Sequence, residues 1–452
     1  MSEKLCHPLR EYKCKGKMHY NSCDFDTDFT FSQMHNGHIV GKVETSSQVG
    51  ITELSKECFN TEVKLFSLSG IDESGSEIIV EQCYFSSVRI GTQPVVGEFV
   101  AHEVWQNPKR LSQKPKNKIV VALDILNIDE TFRVKVDTRI GNLLLRPIKN
   151  QKELLSIVRI LKMSAVTGVV EIFVQNVEDY PTFSKLLAEA IDVTNGFLHI
   201  SRLANTCYSD WCSVTILEET VEGSDVFKPI VLKMSLPKSK TPSFRSLTNP
   251  AHSSVFYESA YSGYKGHEEE LKTSYNFDVA LEWYLEANIA SVLESKYLMA
   301  CTCLELLKDK YQKASGTEFI MEQEFFKNSL YPALLSSSRT IMNGLNLSSN
   351  QRSEIYMKMR GMNRVSIRTA IESLLNELRI KYDDLFEDVG EIVEARNAIT
   401  HTGTYQDTKQ LLDVFNRLYV LLTRAFLSIL KYKQDYVDWH KHQWVQFSDV
   451  SY

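Results

Sequence analysis

The chain has no stretch of 18 apolar residues free of charge, so no segment reads as a membrane-spanning helix. A P-loop and the dinucleotide glycine pattern are both absent, which leaves nucleotide-driven chemistry without a motif and suggests no cofactor. Charge of one sign is also lacking. The 51 Lys and Arg against 57 Asp and Glu give a net charge of −6, so nucleic-acid contact would need a local basic patch. The 9 cysteines are odd in number and scattered. Cys6-His7 and Cys207-x₄-Cys212 do not have the paired spacing of a zinc knuckle, and no metal site is expected. Cys301 and Cys303 lie two apart in a helical stretch and would point away from each other. The opening MSEKLCHPLREYKCKGK has no apolar core of a signal peptide. Together these absences predict a reduced cytoplasmic protein with idle or buried thiols.

At 452 residues the chain is too long for one ordinary core, and two or three domains are expected. The first half reads as strands. FTF, GHIVGKVE, EVKLFSLSG, EIIVEQCYFSSV, KIVVALDIL and TFRVKV are short runs rich in β-branched and aromatic residues, separated by polar or glycine-containing turns. They predict a β-rich sandwich or barrel-like domain over residues 1–149. Residues 150–235 mix helical and strand periods and read as an α+β module or an extension of that domain. Residues 236–262, which include LPKSKTPSFRSLTNPAHSS, are dense in Pro, Ser, Thr and Lys and read as a linker.

From 263 to 452 the pattern predicts an all-helical bundle, making the whole an α+β multidomain protein. FDVALEWYLEANIASVLESKYLMACTCLELLKDKYQ carries apolar residues at helical spacing from Leu285 to Tyr311 and reads as one long helix. VSIRTAIESLLNELRI is a second. DDLFEDVGEIVEARNAIT is a third, opened by acidic residues that suit the positive end of its dipole. DTKQLLDVFNRLYVLLTRAFLSILKYKQ is a fourth and the most apolar.

The third helix ends in EARNAITHTG. Leu385, Val389, Ile392 and Val393 mark its core face, and Arg396 falls on the same face. A buried guanidinium requires an anionic partner, a water-filled cleft or a subunit interface. Asn397 and His401 are four apart and share one side of a helix, whereas Arg396 and His401 diverge by roughly 140° on an ideal one. The two converge if the helix frays near Thr400, as Thr402-Gly403-Thr404 suggests, or if a second subunit completes the site. Histidine exchanges protons near neutral pH, arginine offers a charged planar fork to phosphate oxygens, and asparagine orients either partner. Those types suit metal-independent RNA cleavage, with histidine serving the attacking 2′-hydroxyl or the leaving 5′ oxygen and arginine the phosphoryl oxygens. The Arg-x₄-His spacing occurs once in the chain. A looser match, Arg245 and His252, lies in the proline-containing linker and is set aside.

Arg396-Asn397-x₃-His401, between the third and fourth helices of a C-terminal bundle, resembles the signature of the HEPN-domain family. WYLEAN (283–288) and CLELL (303–307) are similar to the corresponding HEPN helix, and the β-rich first half gives the layout of ApeA-type anti-phage HEPN nucleases. The resemblance covers about the last 170 residues in sequence; over the first 240 residues it is architectural. It implies a homodimer through the C-terminal bundle, an RNA substrate, and endoribonuclease activity in phage defence. Arg396 and His401 would be catalytic, with Asn397 and Glu305 supporting. The N-terminal region would sense a phage-derived trigger or hold the nuclease silent. The alternative is a non-catalytic HEPN-like dimerising scaffold with a ligand-sensing β domain. A third reading has a separately encoded enzyme control the bundle by nucleotidyl transfer to Tyr405.

Other patterns have plainer readings. Asp24, Asp26 and Asp28 in CDFDTDF alternate as on a solvated strand face, and Phe29 stands where a calcium-binding EF-hand loop needs glycine. His440-Lys441-His442, flanked by Trp439 and Trp444, reads as a surface tail rather than a metal or RNA site. Lys238, Lys240, Phe244 and Arg245 read as solvated linker rather than a phosphate-backbone contact.

Overall fold

The computed structural model describes residues 7–57, 63–89, 95–129, 133–221, 223–238, 240, 245–248 and 253–451. Cys6, Phe244 and His252 fall outside them. The chain divides into two compact units, Met1–Lys265 and Gly266–Tyr452. It is α+β: strand-dominated in the first unit, helical in the second.

The first unit opens with β1 (Pro8–Tyr20), β2 (Cys23–Met34), β3 (Ile39–Thr45), α1 (Gln48–Glu57), β4 (Phe66–Asp72), β5 (Glu77–Arg89), β6 (Val95–Ala101) and β7 (Glu103–Gln106). In β2 the buried Phe25, Thr27, Phe29 and Phe31 alternate with the exposed Asp24, Asp26 and Asp28, the period-2 signature of a strand with one solvated face. The strands pair antiparallel in the order β4-β1-β2-β3-β6-β5, and β5 pairs again with β4, so the sheet closes on itself. Closure removes both edges of this part of the sheet. It also encloses an aromatic core in which Phe66 stacks on Phe85 at 4.4 Å and meets Phe99 edge-on. Gly16 sits where β1 meets β4. A Cβ there would lie 1.9 Å from the Ser69 carbonyl oxygen, so only glycine permits the approach. Gln82 takes φ 52° and bends β5. The half before the bend pairs with β7 and the half after it with β6.

Through β7 the sheet continues into a second run, β7-β13-β12-β8-β11-β10-β9. Its further strands are β8 (Ile119–Leu126), β9 (Val134–Asp137), β10 (Gly141–Pro147), β11 (Val166–Val174), β12 (Trp211–Glu219) and β13 (Phe227–Ser235). It carries α2 (Gln151–Leu161), α3 (Phe183–Asn205) and α4 (Ser253–Gly266). Residues 150–235, read as an α+β module or an extension, add β11, β12 and β13 to one continuous sheet. The linker predicted over 236–262 ends in α4, whose Phe256, Tyr257, Ala260, Tyr261 and Tyr264 form a buried helical stripe. Tyr257 stacks on Phe197 of α3 at 5.2 Å and shares hydrogen bonds with Ser201 and Asn205.

In the second unit the predicted first helix is two. α5 (Phe277–Ile289) and α6 (Leu293–Ser315) are separated at Ala290, where ψ turns to 142°. A continuous helix of that length would run about 50 Å, beyond the span of a unit this size. Folding back instead buries Ala280, Leu281, Tyr284 and Leu285, and the Cys303 thiol donates to the Ala280 carbonyl at 3.1 Å. α7 (Tyr331–Asn343) and α8 (Ser349–Arg360) form a helical pair the sequence did not announce, burying only Met342 and Met359. α9 (Ile367–Glu377), α10 (Gly390–Thr402) and α11 (Thr408–Ile429) follow, with a terminal hairpin of β14 (Asp435–Asp438) and β15 (Gln443–Gln446). Asp407 caps α11, its carboxylate accepting from the Lys409 and Gln410 amides. The acidic stretch predicted to open the third helix stays outside it, because α10 begins only at Gly390. Leu385, Phe386 and Val389 are nonetheless buried.

Candidate functional site

α10 carries the Arg-Asn-x₃-His residues, and two polar contacts fix its position in the second unit. The buried Tyr297 hydroxyl of α6 donates to the Ile392 carbonyl at 2.9 Å. Arg417 of α11 donates to the Leu385 carbonyl at 2.8 Å and pairs with Glu391, in the first turn of α10, at 3.1 Å. Ile392, Ala395 and Ile399 supply the buried stripe.

Arg396 is not sealed in the interior. Its Nε meets Glu305 Oε1 of α6 at 3.1 Å, with the two side chains 33% and 31% exposed. Its Nη1 donates to Asn397 Oδ1 at 3.2 Å. Of the three expectations for this guanidinium, an anionic partner, a water-filled cleft or a subunit interface, the single chain supplies the first in Glu305. Beside the pair, Cys301, Leu304, Ile371 and Ile392 line a hollow of about 10 Å³, too small for a ligand. Burial pushes the neighbouring Cys301 thiol up to about 12; the Glu305 carboxylate adds to the shift, while Tyr297 and Arg396 oppose it.

The helix does not fray at Thr400. It continues to Thr402 and stops at Gly403, which takes φ 78° and donates its amide to the Ile399 carbonyl at 2.8 Å. Arg396 and His401 therefore diverge by roughly 140° within one chain. Asn397 and His401 remain one turn apart on the same side. His401 is exposed, and among the described residues its ring has no hydrogen bond or ion pair. Tyr405 lies half-buried just beyond the cap.

The residues read as a surface tail lie at the surface, in an ordered hairpin. His440-Lys441-His442 makes the β14–β15 turn, with Asp438 Oδ1 accepting the His440 and Lys441 amides at 3.0 Å each. Asp438 also meets Arg424 of α11, at 3.2 Å, and both side chains are fully buried. Arg424 donates two bonds of 2.7 Å to Asp384, one of 2.8 Å to the Lys381 carbonyl and one of 3.0 Å to the Tyr436 hydroxyl. Lys441 adds a 2.6 Å contact to Asp384. Burial works against the Asp384 carboxylate, but the hydrogen bonds from Arg424 and Lys441 outweigh it and hold the carboxyl well below its ordinary range. This network ties α11 and the hairpin to the segment that leads into α10. Its sequence signal is the lone arginine within LLTRAFL (421–427).

Among the described residues no three His, Cys, Asp or Glu side chains converge as a metal site would, and the described free cysteines other than Cys23 are buried. No described helix is long and apolar enough to cross a membrane. Comparison with protein-family models, with curated proteins and with solved structures gives no match in any of the three.

Proposed function

We propose that the second unit is a HEPN-like bundle and that the protein is an endoribonuclease of phage defence, cleaving RNA where two copies bring the ends of their α10 helices together. The observation that carries this reading is the side-chain arrangement at the end of α10. A solvent-facing imidazole with no partner among the described residues stands one turn beyond Asn397, whose Oδ1 accepts a bond from Arg396. The geometry of a single chain sharpens the reading. Because α10 stays helical through His401, the two side chains leave it about 140° apart, and two copies would bring an imidazole and a guanidinium to one phosphate by supplying one each. In this scheme the 2′-oxygen attacks phosphorus and the bond to the 5′ oxygen breaks. His401 takes the 2′ proton or supplies one to the leaving oxygen, Arg396 holds the phosphoryl oxygens, and Glu305 and Asn397 keep the guanidinium in place. The first unit would then carry the trigger-sensing or silencing role.

The Arg396–Glu305 pair also fits a second reading, in which the arginine fastens α10 to α6 and the bundle is a non-catalytic dimerising scaffold. One experiment separates the two. The full chain is incubated with end-labelled single-stranded RNA in chelator, and its mass is measured by light scattering. The nuclease reading expects a dimer, products ending in a cyclic phosphate and a 5′-hydroxyl, and at least about a hundredfold loss of cleavage in His401→Ala with the dimer intact. A rate in His401→Ala equal to that of the wild type would overturn the nuclease reading and leave the scaffold.

A further inference from the structure

A second candidate site lies in the first unit, far along the chain from α10 and independent of the nuclease reading. The β4–β5 turn, the helical turn Pro108–Ser112 with the segment after it, and the start of β13 enclose a cleft of about 380 Å³. That volume falls in the range of small-ligand pockets. Its rim carries Arg110, Lys114, Lys116 and Lys228 against a single carboxylate, Glu218. On a chain of net charge −6 this is a local reversal of sign.

Among the described residues, Lys114, Lys116 and Lys228 have no carboxylate within salt-bridge distance, and Arg110 is bonded only to the neutral Gln113, at 3.1 Å. Glu218 is already engaged, its Oε1 accepting the backbone amides of Lys116 at 3.1 Å and Asn117 at 3.5 Å. Asp72, behind the β4–β5 turn, is engaged as well. Its Oδ1 accepts from the Ser74 amide and hydroxyl and from the Ser76 amide, and its Oδ2 accepts from Gln106. These bonds pin the turn that places Ser74 and Ser76 on the cleft wall, beside Asn107. Four like charges around one concavity repel one another until an anion arrives. The Ser76 hydroxyl proton and the second amide proton of Asn107, on the same wall, can add neutral donors to those charges. The charges share one cleft of about 380 Å³, a volume that suits a compact anion.

We propose that this cleft binds a small, multiply charged phosphate compound, with Arg110, Lys114, Lys116 and Lys228 holding its phosphate oxygens. The test is calorimetry on the full-length chain at low salt with two probes, inorganic tripolyphosphate and ATP. The expected result is saturable binding with one site per chain, weakening as salt rises. Lys114→Glu and Lys228→Glu should each weaken it at least about tenfold. Lys152→Glu, an equal charge change at an exposed position on α2, should leave it within about twofold. Tighter binding of ATP than of tripolyphosphate would show that the base also contacts the cleft; equal binding would show that phosphate alone is read. Lys114→Gln and Lys228→Gln serve if a reversed charge perturbs folding, as judged by circular dichroism. His401→Ala should bind like the wild type, which keeps this result separate from the fate of the nuclease reading. The proposal is overturned if neither probe binds saturably, or if Lys152→Glu weakens binding as much as the cleft variants do. It is overturned too if a 20-nucleotide RNA binds in a Lys114- and Lys228-dependent way while neither probe does.

Discussion

Replacing Arg424 by methionine tests how the second unit holds the approach to α10. The side chain is fully buried and bonds to Asp384, Asp438, Tyr436 and the Lys381 carbonyl. Methionine fills much of the volume, so the loss is electrostatic rather than a cavity. Asp384 keeps Lys441 and is itself 31% exposed, so it does not become a buried orphan. Asp438 does, since it is fully buried and retains only the two turn amides. Removing one partner of a buried pair commonly costs 3–5 kcal/mol; with those amides still in place, about 3 kcal/mol is expected. For a unit of this size that corresponds to a fall of roughly 6–12 °C in Tm. Scanning calorimetry of the full chain reads it directly, and fluorescence of Trp439 and Trp444 beside the hairpin turn reports the loss locally. Adding Asp438→Asn to Arg424→Met should recover at least about half of the loss, because the orphaned charge is gone. A fall below about 2 °C, or a double variant no more stable than the single one, would refute this account of the network.

Other consequences follow from the same physics. Asp384 titrates below its ordinary range in the folded chain, so its contribution to stability is present above about pH 5 and is lost on acidification through the usual carboxylate range. Denaturant melts from pH 6 down to pH 3 should show that loss, and Asp384→Asn should flatten it. Burial raises the Cys301 thiol from 9.0 to about 12, so the folded chain keeps that proton while the unfolded chain releases it, and stability should fall as pH rises above 9. At pH 8 a thiol reagent followed by peptide mapping should label the half-buried Cys23 well before Cys301; equal rates would refute the burial argument. Gly403 takes φ 78° with nothing within 4 Å of a Cβ built there, so Gly403→Ala should cost only its backbone strain, about 1 kcal/mol. Faster amide exchange at the end of α10 would report it; unchanged exchange and Tm would show that the cap carries no strain.

Some elements were legible because their pattern is local. β2 alternates phenylalanine with aspartate, and the stripes on α9 and α11 repeat at helical spacing. Others were hidden by composition. β1 has the same period, but Lys13, Lys15 and Lys17 on its outer face and Gly16 between them disguise it. α7 and α8 bury too little to show a stripe. α4 was lost in the proline- and serine-rich stretch before it, although its aromatic spacing was readable. At the candidate site, the sequence placed Arg396 on a core helix, with an anion, a cleft or an interface to meet it, and Asn397 on one side with His401. It misplaced the end of that helix, because a glycine after a threonine marks a stop without saying how many residues precede it.

Taken alone, the chain determined a strand-rich first half and a helical second half, the solvated and buried sides of elements such as β2, α9 and α11, and the position of Arg396, Asn397 and His401 near the end of one core helix. These follow from backbone geometry, whose periods of 2 and 3.6 residues act over a few neighbours. Only the tertiary structure decided that β4 would close a ring against β5, that the long helix would fold back at Ala290, that Glu305 would neutralise Arg396, and that Arg424 would gather Asp384 and Asp438 around it. Such pairings join residues distant in sequence. Their strength depends on burial and dielectric surroundings that exist only once the chain has packed.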